Sequence, residues 1–345
     1  MGVLFLTNDG YSTMCGHASL ALGRLIVDHL GSGAQRWSIL SEVSELLFNA
    51  EEEKMTVNLH APCGLVVVQV PVSRTGETTW KTDTSRAVSY ISVPSFCTGT
   101  PRELTLPDSY MRWPEIDEAW LPTPKGLRSI NFSVAYGGAF YIIVEASELG
   151  FKDSDVTSLT PSSLAALSNA PRLLKKRFLM PANEELQEEL LAHPDLENPE
   201  LYGVIVTAHN KGENDGISGL YPNAKLPVGL CFFADQQVDR SPTGSGVQAR
   251  VVTHLDDPNA VEGDYDGPSS YHSPLSWAHR QQGVDHSEGA FAGEAVEAVR
   301  ISEDLVGWRV RISGWARYTG CASYVVENND EIGKGFWFDK LGQQG

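Results

Sequence analysis

Apolar residues along the chain fall mostly into short runs rich in Val, Ile, Tyr and Phe, each bounded by Gly, Pro, Asp or Asn. Short β-branched and aromatic runs between turn-forming residues are typical of β-strands. The pattern therefore predicts strands at 3–6, 55–60, 65–72, 87–93, 130–134, 140–144, 202–207, 230–233, 295–301, 308–312 and 322–326.

Fewer segments repeat their apolar residues at the helical spacing. Residues 18–30 do so and stop at Gly31, which is typical of a helix end. The other predicted helices are 161–170, 183–193, with Asn183 as its cap and an acidic first turn, and 246–255. Because predicted strands outnumber predicted helices, the pattern indicates an α+β protein.

Residues 256–288 lose this periodicity and are dominated by Asp, Gly, Pro, Ser, His and Tyr. We interpret the stretch as a surface insertion or loop, disordered in part. His272, His279 and His286 lie in it without neighbouring Cys or carboxylate ligands, which favours solvated loop histidines over a metal site.

Charge and cysteine content narrow the classes of partner and compartment. The 345 residues carry a net charge of −18 without a basic cluster, which argues against nucleic acid and anionic membranes as partners. No apolar run reaches the length of a membrane span, and the first residues lack the pattern of a signal peptide. Five scattered cysteines without a CxxC pair fit a reducing compartment and offer no zinc site. We therefore expect a cytoplasmic protein.

Cys15 lies immediately before the first predicted helix, and His17 follows two residues later. The positive end of a helix dipole and a neighbouring imidazole both lower a thiol pKa, so this position favours a reactive thiolate. A buried structural cysteine is the alternative interpretation.

The segment Asp239-Arg-Ser-Pro-Thr-Gly-Ser-Gly precedes the last predicted helix. Gly244 and Gly246 let the backbone approach a ligand closely, and the amides of the following turn form a site suited to a carboxylate. Asp239 offers a negative charge suited to an amine. Together these groups describe a small amino or imino acid ligand, although a glycine-rich turn that merely caps a helix remains the alternative.

Both segments resemble the two signature motifs of the proline racemase family: Met14-Cys15-Gly16-His17 and Asp239 through Gly246. Further similarity lies at 136–150 and 312–336. The resemblance implies two similar α/β halves, like diaminopimelate epimerase, with the active site in the cleft between them. It also implies an imino acid substrate and no cofactor, and a homodimer is compatible with it.

In the racemases of this family each motif supplies a cysteine, one on each face of the substrate α-carbon, whereas here Thr243 occupies the second position. A threonine hydroxyl does not ionise near neutral pH, so inversion at Cα should be poor. The Cys/Thr pairing resembles the branch that dehydrates trans-3-hydroxy-L-proline to 1-pyrroline-2-carboxylate. The resemblance implies that Cys15 accepts the α-proton, that Thr243 contacts the leaving hydroxyl, and that the substrate is bound by Gly16, His17, Asp239, Gly244 and Ser245.

The resemblance also suggests boundaries: an N-terminal half at 1–135, a C-terminal half at 136–320 carrying the 256–288 insertion, and a strand and tail at 321–345. The N-terminal half is expected to lack the opening segment of the family. The alternatives are a hydroxyproline 2-epimerase or proline racemase, a Cys-His hydrolase using Cys15 as nucleophile, and an inactive shortened homologue.

Overall fold

The computed structural model describes residues 1–7, 10–31, 47–76, 79–106, 113–114, 128–208, 228–235, 237–256, 268–276, 289–323, 325 and 327. Its helices are α1 (Gly16–Gly31), α2 (Asp153–Thr157), α3 (Pro161–Phe178), α4 (Glu184–Leu190) and α5 (Gly244–Leu255). Its strands are β1 (Phe5–Thr7), β2 (Gly10–Ser12), β3 (Leu47–Asn49), β4 (Lys54–Ala61), β5 (Gly64–Arg74), β6 (Trp80–Thr82), β7 (Val88–Ile91), β8 (Phe96–Leu106), β9 (Arg128–Tyr136), β10 (Phe140–Glu145), β11 (Leu201–Ala208), β12 (Val228–Phe233), β13 (Gln237–Val238), β14 (Ser269–Tyr271), β15 (Phe291–Arg300) and β16 (Val306–Gly314). The predicted α+β class is confirmed.

A six-stranded sheet in the order β13-β12-β11-β10-β9-β8 forms the middle of the chain. Its pairs are antiparallel except β10 with β11, which are parallel. Since neighbouring residues of a strand face opposite sides, Ile142 packs into the core under α3 while Tyr141 packs into a second core with α1 and α5. Leu230 and Cys231 on β12 divide between the two cores in the same way. The sheet is therefore buried on both faces.

A second, eight-stranded sheet runs β14-β15-β16-β7-β5-β4-β3, with β6 paired to β5, and β1 with β2 forms a separate hairpin. Helix α1 packs on β4 to β7, and α5 packs between this sheet and the six-stranded one. Backbone hydrogen bonds between Ser95 and Trp308 join the two sheets, with N–O distances of 2.8 and 2.7 Å. Helices α1 and α5 contact each other, and their apolar residues share one core.

The sheets do not divide the chain where the sequence suggested. The boundary between residues 135 and 136 falls inside β9, and β14 to β16 return to the sheet that contains β3 to β7. Strands from both proposed halves belong to the eight-stranded sheet. The boundaries of the halves therefore remain a prediction. Of the tail from 321 to 345, residues 321–323, 325 and 327 form no strand, and the others lie outside the described residues.

The interpretation of 256–288 as a surface loop is wrong for its described part. Residues 269–271 form β14, which pairs with β15, and the side chains of Tyr271 and His272 are buried. A strand of three residues is too short to show the period of two, so composition alone suggested a loop. His279, His286 and residues 257–267 and 277–288 lie outside the described residues.

Helix α3 continues to Phe178, past the predicted end at Ala170, although Pro171 lies inside it. Proline cannot donate the backbone hydrogen bond of its turn, which normally ends or bends a helix. Here Leu167, Leu174 and Phe178 are all buried in the same core, so packing outweighs the lost bond.

Strand β8 was not predicted, because Gly99 and Pro101 interrupt its alternation and its register shifts at both.

Among the described residues, no helix has both the length and the apolar character needed to cross a lipid bilayer.

Candidate functional site

Helices α1 and α5 begin at the same place in the molecule, at the contact between Gly16 and Gly244. A Cβ atom added to Gly16 would lie 3.0 Å from the Gly244 Cα, and a Cβ added to Gly244 would lie 3.0 Å from the Gly16 Cα. Only glycine allows two backbones to come this close without displacing one of them. The fold therefore brings the two sequence motifs together, with Cys15 preceding one helix and Thr243 preceding the other.

A cavity of about 300 Å³ opens at this junction. All the site residues predicted from the sequence line it: Cys15, Gly16, His17, Asp239, Thr243, Gly244 and Ser245. The remaining lining includes Leu4, Phe5, Leu6, Ser12, Met14, Ala18, Tyr141 and Tyr202. A second cavity of about 490 Å³ shares His17 and Asp239 with it. The volume of the first cavity suits a small molecule.

The electrostatic environment of Cys15 differs from the prediction. Burial raises the pKa of the Cys15 thiol above its usual value, and the charge of Asp239 raises it further. The backbone amides of Ala18 and His17 at the start of α1 lower this pKa, but by less than burial raises it. The prediction that the helix start and His17 give a net lowering is therefore wrong.

The surroundings of His17 disfavour a charged imidazole beside Cys15. Its imidazole faces both cavities and packs on Phe291, with ring centroids 4.6 Å apart. The surrounding protein partly desolvates the ring and lowers its pKa, an effect that the charge of Asp239 opposes less strongly. The lowered pKa favours the neutral imidazole, so the helix amides are the groups that favour a Cys15 thiolate.

Thr243 is held in an unusual conformation by short hydrogen bonds. Its φ of 64° is rare for a β-branched residue, and such a conformation costs about 1–3 kcal/mol. Its hydroxyl donates to Asp239 Oδ2 at 2.8 Å, and its amide donates to Ser241 Oγ at 2.9 Å. The Ser241 amide donates to Asp239 Oδ1 at 2.8 Å. The Thr243 hydroxyl thus donates its proton to Asp239, and the buried Cys231 thiol also interacts with this hydroxyl.

Tyr141 is a cavity residue that sequence reasoning missed. Its hydroxyl lies 2.7 Å from Ser245 Oγ at the start of α5, and burial raises the pKa of the phenol well above its usual value. The glycine turn before β10 packs against the same helix start, since a Cβ on Gly137 would lie 2.1 Å from the Ser245 carbonyl oxygen. The signal in the sequence is the alternation along β10, where Tyr141 faces away from Phe140 and Ile142.

Beside the glycine contact lies the hydroxyl of Tyr90, which is fully buried. It occupies the space that a side chain at either helix start would need, 2.6 Å from a Cβ on Gly16 and 2.5 Å from one on Gly244. Within the described part of the chain this hydroxyl has no hydrogen-bond partner. The phenol therefore acts as a spacer under the two helix starts.

In the part of the chain that the structure describes, no group of three or more His, Cys, Asp or Glu side chains could hold a metal ion. That the site works without a cofactor stays a prediction.

Comparison with known proteins places this site in a family. Residues 117–265 match the sequence profile described as proline racemase. A bovine protein (Bos taurus) named trans-L-3-hydroxyproline dehydratase is 34% identical over 341 residues, covering 97% of this chain and 74% of the bovine protein. The chain belongs to the proline racemase family. The family resemblance stated from the sequence motifs is confirmed.

Other members of the proline racemase family are similar over the same extent. A human protein (Homo sapiens) named trans-3-hydroxy-L-proline dehydratase is 32% identical, covering 97% of this chain and 74% of the human one. One from Bacillus thuringiensis subsp. konkukian with the same name is 26% identical, covering 97% of this chain and 76% of the bacterial one.

Two solved structures share the fold of this chain. A hydroxyproline epimerase from Agrobacterium vitis with bound trans-4-OH-L-proline aligns with a TM-score of 0.60 at 18% identity, covering 99% of this chain and 74% of the epimerase. A probable proline racemase from Agrobacterium radiobacter K84 aligns with a TM-score of 0.59 at 17% identity, covering 99% of this chain and 76% of the other. The predicted fold is thereby confirmed.

Proposed function

We propose that this chain is a hydro-lyase that removes water from trans-3-hydroxy-L-proline and forms 1-pyrroline-2-carboxylate. The proposal depends on one observation above all: a thiol and a threonine, Cys15 and Thr243, line the same small cavity at two facing helix starts. The names of the bovine, human and bacterial relatives support it.

The chemistry of the two residues favours elimination over inversion. A thiolate at Cys15 removes the α-proton, and the C3–O bond then breaks with departure of the hydroxyl group. The enamine that remains, with its double bond between Cα and C3, tautomerises to 1-pyrroline-2-carboxylate. Inversion would require a second acid or base on the opposite face, where Thr243 has a hydroxyl that does not ionise near neutral pH. The Thr243 proton is also engaged by Asp239.

Substrate binding is assigned to the groups around the glycine contact. The amides of Gly16, Gly244 and Ser245 lie in the first turns of two helices, where backbone N–H groups and helix dipoles both favour a carboxylate. The His17 amide lies in the same turn and also stabilises a Cys15 thiolate. Asp239, fixed by the Ser241 amide and the Thr243 hydroxyl, binds the ring nitrogen as a cation. This arrangement supports a small imino acid as substrate.

The assay is incubation of the purified protein with trans-3-hydroxy-L-proline, followed by mass spectrometry and chiral chromatography. We expect loss of one water and accumulation of 1-pyrroline-2-carboxylate. A product of unchanged mass with inverted Cα would contradict dehydration and support the epimerase alternative. Pyrrole-2-carboxylate, a planar mimic of the carbanion, should raise the melting temperature, and neither turnover nor a shift would identify an inactive homologue.

A rate that rises with pH is expected from the environment of Cys15. Since the base is the thiolate and burial raises the thiol pKa, the reactive form is scarce at neutral pH and increases as pH rises. The pH profile of kcat/KM for dehydration should therefore climb through pH 7 to 9 instead of levelling off below 7. A profile already flat at pH 6 would show that the free enzyme holds a preformed thiolate.

Two further expectations accompany the proposal. Because the scattered cysteines without a CxxC pair fit a reducing compartment, we expect the enzyme in the cytoplasm. A homodimer is compatible with the proposal, and sedimentation of the purified chain would distinguish it from a monomer.

A further inference from the structure

The leaving hydroxyl needs a proton that the two residues of the Cys/Thr pair do not supply. Cys15 as thiolate is the acceptor of the α-proton, and the Thr243 hydroxyl donates its own proton to Asp239 Oδ2 at 2.8 Å. Hydroxide is a poor leaving group because water has a pKa of about 15.7. Protonation during C–O cleavage is worth about 10²–10⁴-fold in rate, so another donor should face the cavity.

A second hydroxyl pair lines the same cavity on the α5 side. Ser245 Oγ and the Tyr141 hydroxyl lie 2.7 Å apart, both residues contribute to the cavity wall, and both side chains are almost fully buried. Among the described residues, no other hydrogen bond involves the Ser245 hydroxyl. When the phenol donates to Ser245, the serine proton is free to point at a ligand.

We propose that Ser245 protonates the departing hydroxyl group and that Tyr141 replaces the serine proton. This inference rests on the proposed dehydration and assigns a step of it that the Cys/Thr pair leaves open. It also gives Ser245 two separate functions, since its amide can bind the carboxylate while its side chain donates the proton.

Cys15 thiolate takes the α-proton, the C–H electron pair becomes the Cα–C3 double bond, and the C3–O pair leaves with the oxygen. That oxygen takes the Ser245 proton and departs as water, and the Tyr141 proton moves to Ser245. Burial raises the pKa of this phenol, so the phenolate is short-lived, and the positive end of α5 beside it only partly offsets that effect. The thiol proton of Cys15 then returns to Tyr141 through water in the open cavity, which restores the enzyme.

The test uses Tyr141→Phe and Ser245→Ala in the full chain. Both variants should dehydrate trans-3-hydroxy-L-proline about 10²-fold more slowly than the parent. Fluoride leaves without protonation, so both should release fluoride from trans-3-fluoro-L-proline within a few-fold of the parental rate. Solvent deuterium exchange at Cα of L-proline, which reports the Cys15 step alone, should also be unchanged.

Tyr136→Phe is the matched control. It removes a phenol oxygen from the neighbouring strand β9, in the core on the other face of the sheet and away from this cavity, and should keep all three rates. A loss of all three rates in Tyr141→Phe and Ser245→Ala would show a structural role and overturn the inference. Dehydration at the parental rate in both variants would overturn this inference and leave the proposed function intact. Absence of dehydration in the parent would overturn both.

Discussion

Cys15→Ser is expected to lower the dehydration of trans-3-hydroxy-L-proline by about 10²–10⁴-fold, the usual contribution of a general base. Serine keeps the size and the hydrogen-bonding capacity of the side chain at the start of α1, so the amides of His17 and Ala18 and the cavity are preserved. The substitution removes the group that ionises, because a serine hydroxyl does not form an anion near neutral pH. Initial rates of product formation measure the effect.

Cys63→Ser is the control for this experiment. Cys63 is another free cysteine, its thiol pKa is raised by burial to about 11, and it does not line the cavity. The control should dehydrate the substrate at the parental rate. Near-parental turnover by Cys15→Ser itself would show that another group removes the α-proton, and the mechanism proposed for this site would be wrong.

Thr243→Cys is expected to add Cα inversion, with a rise of about 10²-fold or more in proton exchange on the second face of the substrate. The swap places a titratable thiol opposite Cys15 and beside the amides that begin α5, which favour a thiolate. It also removes the hydroxyl that donates to Asp239, so dehydration should fall. The assay is deuterium exchange at Cα of both proline enantiomers, followed by NMR.

The parent should label one proline enantiomer only, since Cys15 addresses a single face. Thr243→Ser is the matched control: it keeps a hydroxyl that can donate to Asp239 but provides no thiol, and it should retain dehydration without inversion. Equal labelling of both enantiomers by the parent would mean that Thr243, or water bound by it, already acts as a second base. The epimerase alternative would then replace the dehydratase proposal.

Residue types and local patterns were enough to predict much of this protein. Alternating apolar residues located most of the long strands, because successive side chains of a strand face opposite sides of the sheet. Helical spacing ended by Gly31 located α1 closely. The two motifs identified the family and selected seven residues that line one cavity. Each of these inferences depends on residues that are neighbours along the chain.

Only the tertiary structure decided how those residues affect one another. The sequence suggested a low pKa for Cys15 from the helix start and His17, but burial at the meeting of two helices opposes both effects. The resemblance implied that Thr243 contacts the leaving hydroxyl, and only the structure shows that the Thr243 hydroxyl donates its own proton to Asp239 from a turn with positive φ. The sequence pattern predicted the strand that contains Tyr141, but it did not show that this residue lines the cavity. Desolvation and hydrogen bonding depend on groups distant in sequence, so a pattern of neighbouring residues does not contain them.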